Sequence, residues 1–153
     1  MNIYPESFFI ALAGGLFATL LMIILEIPAW RKWGLIGVLE WHENQALSTK
    51  FFKLSDNHMH TKGIFLLHFV NGGLGGIGFL LVLLIFPFTV ANMFFSGIVY
   101  GVFLWVVTLI PIHKPITGIS PWKHPNGMMP TVLSLIGHLV YGVAIGLYVD
   151  MVF

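Results

Sequence analysis

The sequence predicts an all-α integral membrane protein, with one membrane domain over residues 1–153 that contains four transmembrane helices. Composition is the first reason. Hydrophobic residues make up 58% of the chain and charged residues only 8%, with a mean hydropathy of +0.92, whereas soluble domains carry about 25% charged residues. The second reason is that the apolar residues fall into four runs, each with roughly the 17–25 residues that cross the hydrocarbon core as a helix.

Proline or a charged residue bounds each of the four runs, which makes their limits easy to place. The link between the second and third runs has only about five residues, 87–91, so we expect those two helices to be antiparallel neighbours. The predicted spans are residues 8–27 (before Pro28), 63–86 (before Pro87), 92–110 (before Pro111) and 131–149 (after Pro130).

The basic residues predict how the spans are oriented. All seven Lys and Arg residues lie between the first and second spans or between the third and fourth. Because basic loops stay on the cytoplasmic side, we expect both of these loops to be cytoplasmic and both termini to lie outside the cell membrane. No basic stretch precedes the first run, so we expect it to be a retained span rather than a cleaved signal peptide.

The first cytoplasmic loop, residues 29–62, is predicted to contain an amphipathic helix that lies in the membrane interface. Its apolar residues fall near one helical face, and Glu40 and Glu43 fall elsewhere. Trp30, Trp33 and Trp41 interleave with basic residues, as is typical of indoles at headgroup level.

A short pattern occurs twice and suggests that the chain contains two repeated hairpins. The pattern His-x-Val-x-Gly-x-x-x-Gly begins at His68 and again at His138, an offset of 70. The first and third spans align at an offset of 83, with Gly14 matching Gly97. Such hairpins would be parallel repeats about an axis along the membrane normal; the alternative is chance similarity between apolar segments.

His68 and His138 are the first candidates for a functional site, because an imidazole in a hydrocarbon environment needs a partner. Both lie in the cytoplasmic half of their spans, and Glu26 reaches the same side. One hypothesis is that the two histidines are axial ligands of a b-type haem. Another is that they bind Cu, Fe or Zn together with Glu26. In the haem hypothesis, the glycines beside each histidine would leave room for the macrocycle.

The glycines also have a simpler interpretation. Pairs of small residues spaced by four let membrane helices approach closely. In this alternative the histidines only form hydrogen bonds between helices. The helix-packing candidates are Gly72, Gly76, Gly97, Gly101, Gly142 and Gly146.

The remaining features favour a protein without catalytic activity of its own. The chain has no Cys, no phosphate-binding loop in the required context and no nucleophile elbow. Nucleic acid is excluded as a partner, because the lipid interface accounts for the few basic residues. We therefore expect a structural or accessory subunit of a larger membrane complex, or a homo-oligomer, with the lipid bilayer and other membrane subunits as partners. The alternatives are a haem- or metal-binding redox or sensor protein and, with less support, a small-solute transporter.

Overall fold

A computed structural model describes residues 5–55, 57–86 and 92–152, and within these ranges the chain is helical and contains no β-strand. Two short 3₁₀ turns, Leu35–Gly37 and Pro121–Lys123, lie between the long helices. The long helices are α1 (Pro5–Trp33), α2 (Leu39–Phe52), α3 (Thr61–Ile85), α4 (Met93–Thr117) and α5 (Met129–Val152).

Four of these helices, α1, α3, α4 and α5, are long and apolar enough to cross a membrane. The predicted all-α fold with four such helices is therefore confirmed, although α1 and α4 run past the prolines that were expected to end them. Pro111 is accommodated because α4 widens into a π-helical turn at Leu109–His113. Such a turn is one way for a helix to continue past a residue that has no backbone N–H. The predicted link at residues 87–91 lies outside the described residues.

Close contacts join α1 to both α3 and α5, and α4 to α5. The expected neighbours α3 and α4 make few close backbone contacts among the described residues. They meet through Tyr100, whose hydroxyl donates to the carbonyl of Gly75 over 2.7 Å and whose ring lies 5.2 Å from that of Phe79. The apolar core of the bundle therefore has an aromatic contact at the side where the predicted hairpins meet.

Glycine allows the two tightest helix contacts. A Cβ atom at Gly76 of α3 would overlap the carbonyl oxygen of Ala11 and lie 2.9 Å from the Cα of Gly15 on α1. A Cβ atom at Gly146 of α5 would likewise overlap the backbone of α4, 3.2 Å from the Cα of Gly97. Such backbone contact is the use that small residues have between membrane helices. The other predicted packing glycines, Gly72, Gly101 and Gly142, also lie at contacts between helices.

The matching contacts in the two helix pairs correct the alignment that the sequence suggested. Gly15 meets Gly76 as Gly97 meets Gly146, so the offset between α1 and α4 is 82 rather than 83. Gly14, which the sequence matched with Gly97, faces Ile145 and Tyr148 of α5 instead. With the corrected offset, Glu26 of α1 corresponds to Thr108 of α4.

The helix predicted in the first loop is α2, but it is packed into the protein more deeply than an interfacial helix would be. Trp41 is 1% exposed, and Asn44, Gln45 and Ser48 are also buried. The chain leaves α1 at Gly34, whose φ of 69° suits glycine, and returns so that α2 covers one end of the bundle. The polar face of α2 is therefore directed into the protein.

Candidate functional site: a cluster of Glu–His pairs under α2

Three glutamates meet three histidines where α2 covers the end of the bundle. Glu26 is near the end of α1, whereas Glu40 and Glu43 are one turn apart in the first half of α2, so both point to the same side. Each histidine comes from a different spanning helix. The pairs and their nearest nitrogen–oxygen distances are Glu26–His68 (3.7 Å), Glu40–His138 (3.4 Å) and Glu43–His113 (2.8 Å).

Glu26 is the most deeply buried of the three glutamates, with 3% of its surface exposed. The indole Nε1–H of Trp41 donates to its Oε2 over 2.6 Å. Its other oxygen, Oε1, has no hydrogen-bond partner among the described residues. The Trp41 ring is held in turn by an edge contact with Phe65, with centroids 5.0 Å apart. Packing of α2 thus gives one oxygen of the carboxylate a hydrogen bond and leaves the other oxygen without one.

The two predicted site histidines have different surroundings. The Nδ1 atom of His68 lies 3.4 Å from the side-chain amide of Asn44 on α2. In His138 the Nδ1–H donates to the carbonyl of Ser134 over 2.9 Å, and Nε2 lies 3.5 Å from the hydroxyl of Thr108. The Ser134 hydroxyl donates to Glu40, so α2 is bonded to the helix that carries His138.

The corrected alignment of α1 with α4 shows what α2 adds beside His138. His68 faces Glu26 from the neighbouring helix, and at the corresponding place His138 faces Thr108. The second hairpin therefore has a hydroxyl where the first has a carboxylate. Glu40 of α2 provides the missing acidic group.

Two further histidines, His42 and His124, lie near the Glu43–His113 pair. The rings of His42 and His113 have centroids 5.9 Å apart. Burial, together with His113 and His124, lowers the pKa of His42 to about 4. Burial also raises the pKa of Glu43, against the opposing effect of its hydrogen bond from His113, while the nearby Glu40 adds to the rise.

A cavity of about 120 Å³ lies beneath these pairs, between α2 and the four-helix bundle. Across it, the hydroxyl of Tyr141 on α5 donates to the carbonyl of Gly72 on α3 over 2.5 Å. None of the described residues that line the cavity is Lys or Arg. Its polar lining residues are Thr19, Glu40, Glu43, Asn44, His68, Asn71, Thr108, His138 and Tyr141.

This arrangement brings the predicted site residues together but does not fit the predicted cofactors. His68 and His138 line one cavity, and Glu26 lies beside His68. A haem would need both histidines free to face it, yet both ring nitrogens of His138 contact protein groups, and the Tyr141–Gly72 bond crosses the space. Pockets for drug-sized ligands, which are smaller than haem, measure about 300–1,000 Å³. In the described ranges, no group of three or more His, Asp or Glu residues is placed to hold a metal ion.

The sequence did not show which residues form this cluster. It predicted only that Glu40 and Glu43 fall off the apolar face of the loop helix, whereas the structure directs them towards His138 and His113. His113 lies beyond Pro111, where the third span was predicted to end, yet it is fully buried in the π-helical turn of α4. The available signal was the i, i+3, i+4 spacing of three polar residues on α2, which puts them on one helical face.

The fold and the site define a class of protein: an all-α chain whose four long apolar helices are consistent with an integral membrane protein. The sequence matches no protein-family model, no curated protein and no solved structure.

Proposed function

We propose that this chain is an integral membrane protein that binds a small monovalent cation in the cavity beneath α2. One observation carries the proposal: Glu40 and Glu43 line the cavity and Glu26 lies beside it, and none of these three largely buried glutamates has a Lys or Arg partner. All seven Lys and Arg side chains are exposed, and the described ion pairs of these glutamates involve only histidines. A buried carboxylate needs compensating positive charge, and inside a membrane protein such a group marks an ion or substrate site by default.

The size and chemistry of the cavity limit the ligand. A volume of about 120 Å³ lies below the range of about 300–1,000 Å³ for drug-sized ligands, so the ligand has few atoms. Carboxylate, amide and hydroxyl oxygens dominate the polar lining, and oxygen ligands suit hard cations and N–H donors. An alkali-metal ion or an ammonium-type cation matches both properties.

Thermal unfolding of the purified protein tests this function. The protein is kept at constant ionic strength while choline chloride is replaced by sodium, potassium, ammonium or methylammonium chloride. A ligand at 100 times its Kd stabilises the folded state by about 2.7 kcal/mol, so we expect at least one of these cations to raise the Tm in a saturable way. The rise should be lost in Glu40→Gln and kept in Glu6→Gln, an exposed residue in the first turn of α1.

Two results would overturn the proposal. In the first, the Tm is the same in all five salts, which means that bound protons, and not a cation, neutralise the charge of the glutamates. In the second, Glu40→Gln and Glu6→Gln respond to the cations identically, which places the effect outside this cavity.

We also propose that the two helix pairs are repeated hairpins related by duplication. The equivalent glycine contacts at offsets of 82 and 70 support this proposal, and so does the matching position of His68 and His138 opposite α1 and α4. The first loop is longer by the segment that forms α2. Removal of α2 should therefore leave two similar halves, of which only the first keeps a carboxylate beside its histidine.

Assembly with other membrane subunits or with further copies of the chain is a second candidate function. The packing glycines no longer argue for it, because they are used inside the chain. The observation that favours it is an open apolar groove of about 400 Å³ between α1 and α5, lined by Phe17, Leu21, Val140 and Val143 among others. Cross-linking of Val143→Cys in membranes tests this, and a cross-linked dimer is expected. A monodisperse monomer in both mild detergent and lipid would contradict it.

A further inference from the structure

The end of α2 carries a surface that the cavity does not use. Five consecutive residues, 50–54, are exposed, and we call them the basic–aromatic segment; its sequence is Lys-Phe-Phe-Lys-Leu. Phe51 is 71% exposed and Phe52 is 55% exposed. Lys53 has a φ of 53°, so it ends α2 in the left-handed conformation and turns the chain back towards α3. Two adjacent phenyl rings in water are unfavourable, which indicates that something covers them.

The contact of Ser48 with α3 sets the level of the basic–aromatic segment. Ser48 is buried and packs directly against Gly63, the third residue of α3. Gly63 is also the first residue of the second apolar run, where the chain is predicted to enter the hydrocarbon. Since α2 rises 1.5 Å per residue, Phe51 and Phe52 lie within about 6 Å of that contact along the helix. The two rings therefore lie close to the level at which α3 is predicted to enter the hydrocarbon, and interfacial helices bury their apolar side chains in this boundary region.

The charges around the two rings match a lipid surface. Lys50 and Lys53 belong to the segment, and Lys62 lies in the first turn of α3; all three side chains are exposed. Lysines beside exposed aromatic rings are typical of segments that bind anionic headgroups. We propose that the basic–aromatic segment inserts its two phenyl rings into the adjoining membrane leaflet and binds anionic phospholipid headgroups through Lys50 and Lys53. Only part of the predicted interfacial helix would then touch lipid, and this part is its last turn.

Site-directed spin labelling tests the depth of the segment, and the absence of cysteine from the sequence makes single-cysteine variants straightforward. The label is placed at Phe52→Cys in lipid vesicles that contain no other protein. Leu66→Cys is the matched control within a span, because Leu66 is 59% exposed on α3. We expect the label at position 52 to be relaxed more by oxygen than by a water-soluble nickel chelate, as at position 66. Greater accessibility to the chelate would overturn the proposal and would leave a protein partner as the cover for the rings.

The lipid composition retained by the protein tests the role of the lysines. The protein is solubilised from vesicles of phosphatidylcholine with one-fifth phosphatidylglycerol, and the bound lipids are quantified by mass spectrometry. One lysine near a charged surface changes binding about fivefold, so Lys50→Gln/Lys53→Gln should lose most of the enrichment in phosphatidylglycerol. The control pair Lys114→Gln/Lys123→Gln, exposed near the end of α4 and between α4 and α5, should keep it. Equal enrichment in both double variants would overturn the assignment of the headgroup site.

Discussion

The indole of Trp41 and the carboxylate of Glu26 join α2 to the end of α1 through a hydrogen bond of 2.6 Å, with both side chains almost completely buried. A carboxylate in this position needs a donor, and a tryptophan can bury its ring once its N–H has an acceptor. The pair therefore helps to explain why α2 lies inside the protein: the indole N–H gains an acceptor, and one of the two carboxylate oxygens gains a donor.

We expect Trp41→Phe to destabilise the fold by about 1–3 kcal/mol, the usual cost of leaving a buried polar group without its partner. Phenylalanine keeps most of the contact with Phe65 but cannot donate to Glu26. The measurement is the Tm in mild detergent. Trp122→Phe, at a ring that is 47% exposed, is the control and should change the Tm little; equal losses in the two variants would mean that the hydrogen bond contributes nothing.

We expect Gly76→Ala to be strongly destabilising, because the added Cβ would overlap the carbonyl oxygen of Ala11 and force α1 and α3 apart. Overpacking of a close contact costs about 1–3 kcal/mol. Gly73→Ala, on the same helix, is the control, since its Cβ would meet only the flexible ends of Leu12 and Leu16. The measurement is the Tm of each variant, and we expect it to be lower for Gly76→Ala than for Gly73→Ala. Equal Tm values would contradict the close contact between α1 and α3.

The shifted pKa values of His42 and Glu43 predict how the stability of the fold depends on pH. The pKa of His42 falls from about 6.5 in the unfolded chain to about 4 in the folded protein. Its contribution to stability is therefore complete above pH 6.5 and is lost as the pH falls towards 4. His42 is partly open to solvent, so we expect about 1–2 kcal/mol rather than the full value of the shift. Glu43 acts in the opposite direction: its raised pKa removes stability as the pH rises above 4.5.

Comparison of variants isolates the effect of His42 from that of the other titrating groups. His42→Gln should lose less stability than the wild type between pH 6.5 and 4, and His58→Gln, at an exposed histidine, should follow the wild type. Chemical or thermal unfolding at each pH provides the measurement. Parallel pH profiles for all three proteins would show that His42 is not shielded as the structure describes.

Local patterns in the sequence were sufficient for the four long helices, because twenty apolar residues bounded by proline or charge leave few alternatives. The same patterns failed where distant residues decide the outcome. Continuation of α4 past Pro111 depends on a π-helical turn that no local signal announced. The inward direction of Glu40 and Glu43 depends on His138 and His113, which lie 98 and 70 positions away in the chain. A single sequence does not record such contacts, so the pattern separated Glu40 and Glu43 from the apolar face of α2 without showing that they meet the histidines.

The side of the membrane that the cavity faces can be settled by labelling single cysteines in intact cells. The positive-inside rule predicts that Ser55→Cys and Lys123→Cys, both exposed in the basic loops, react with an impermeant maleimide only after the membrane is opened. Glu6→Cys and Met151→Cys, exposed at the far ends of α1 and α5, should react in intact cells. The reverse pattern would place α2 and the Glu–His cluster outside, so that the proposed cation would be drawn from the external medium. Labelling of only one basic loop would instead contradict the antiparallel order of the four helices.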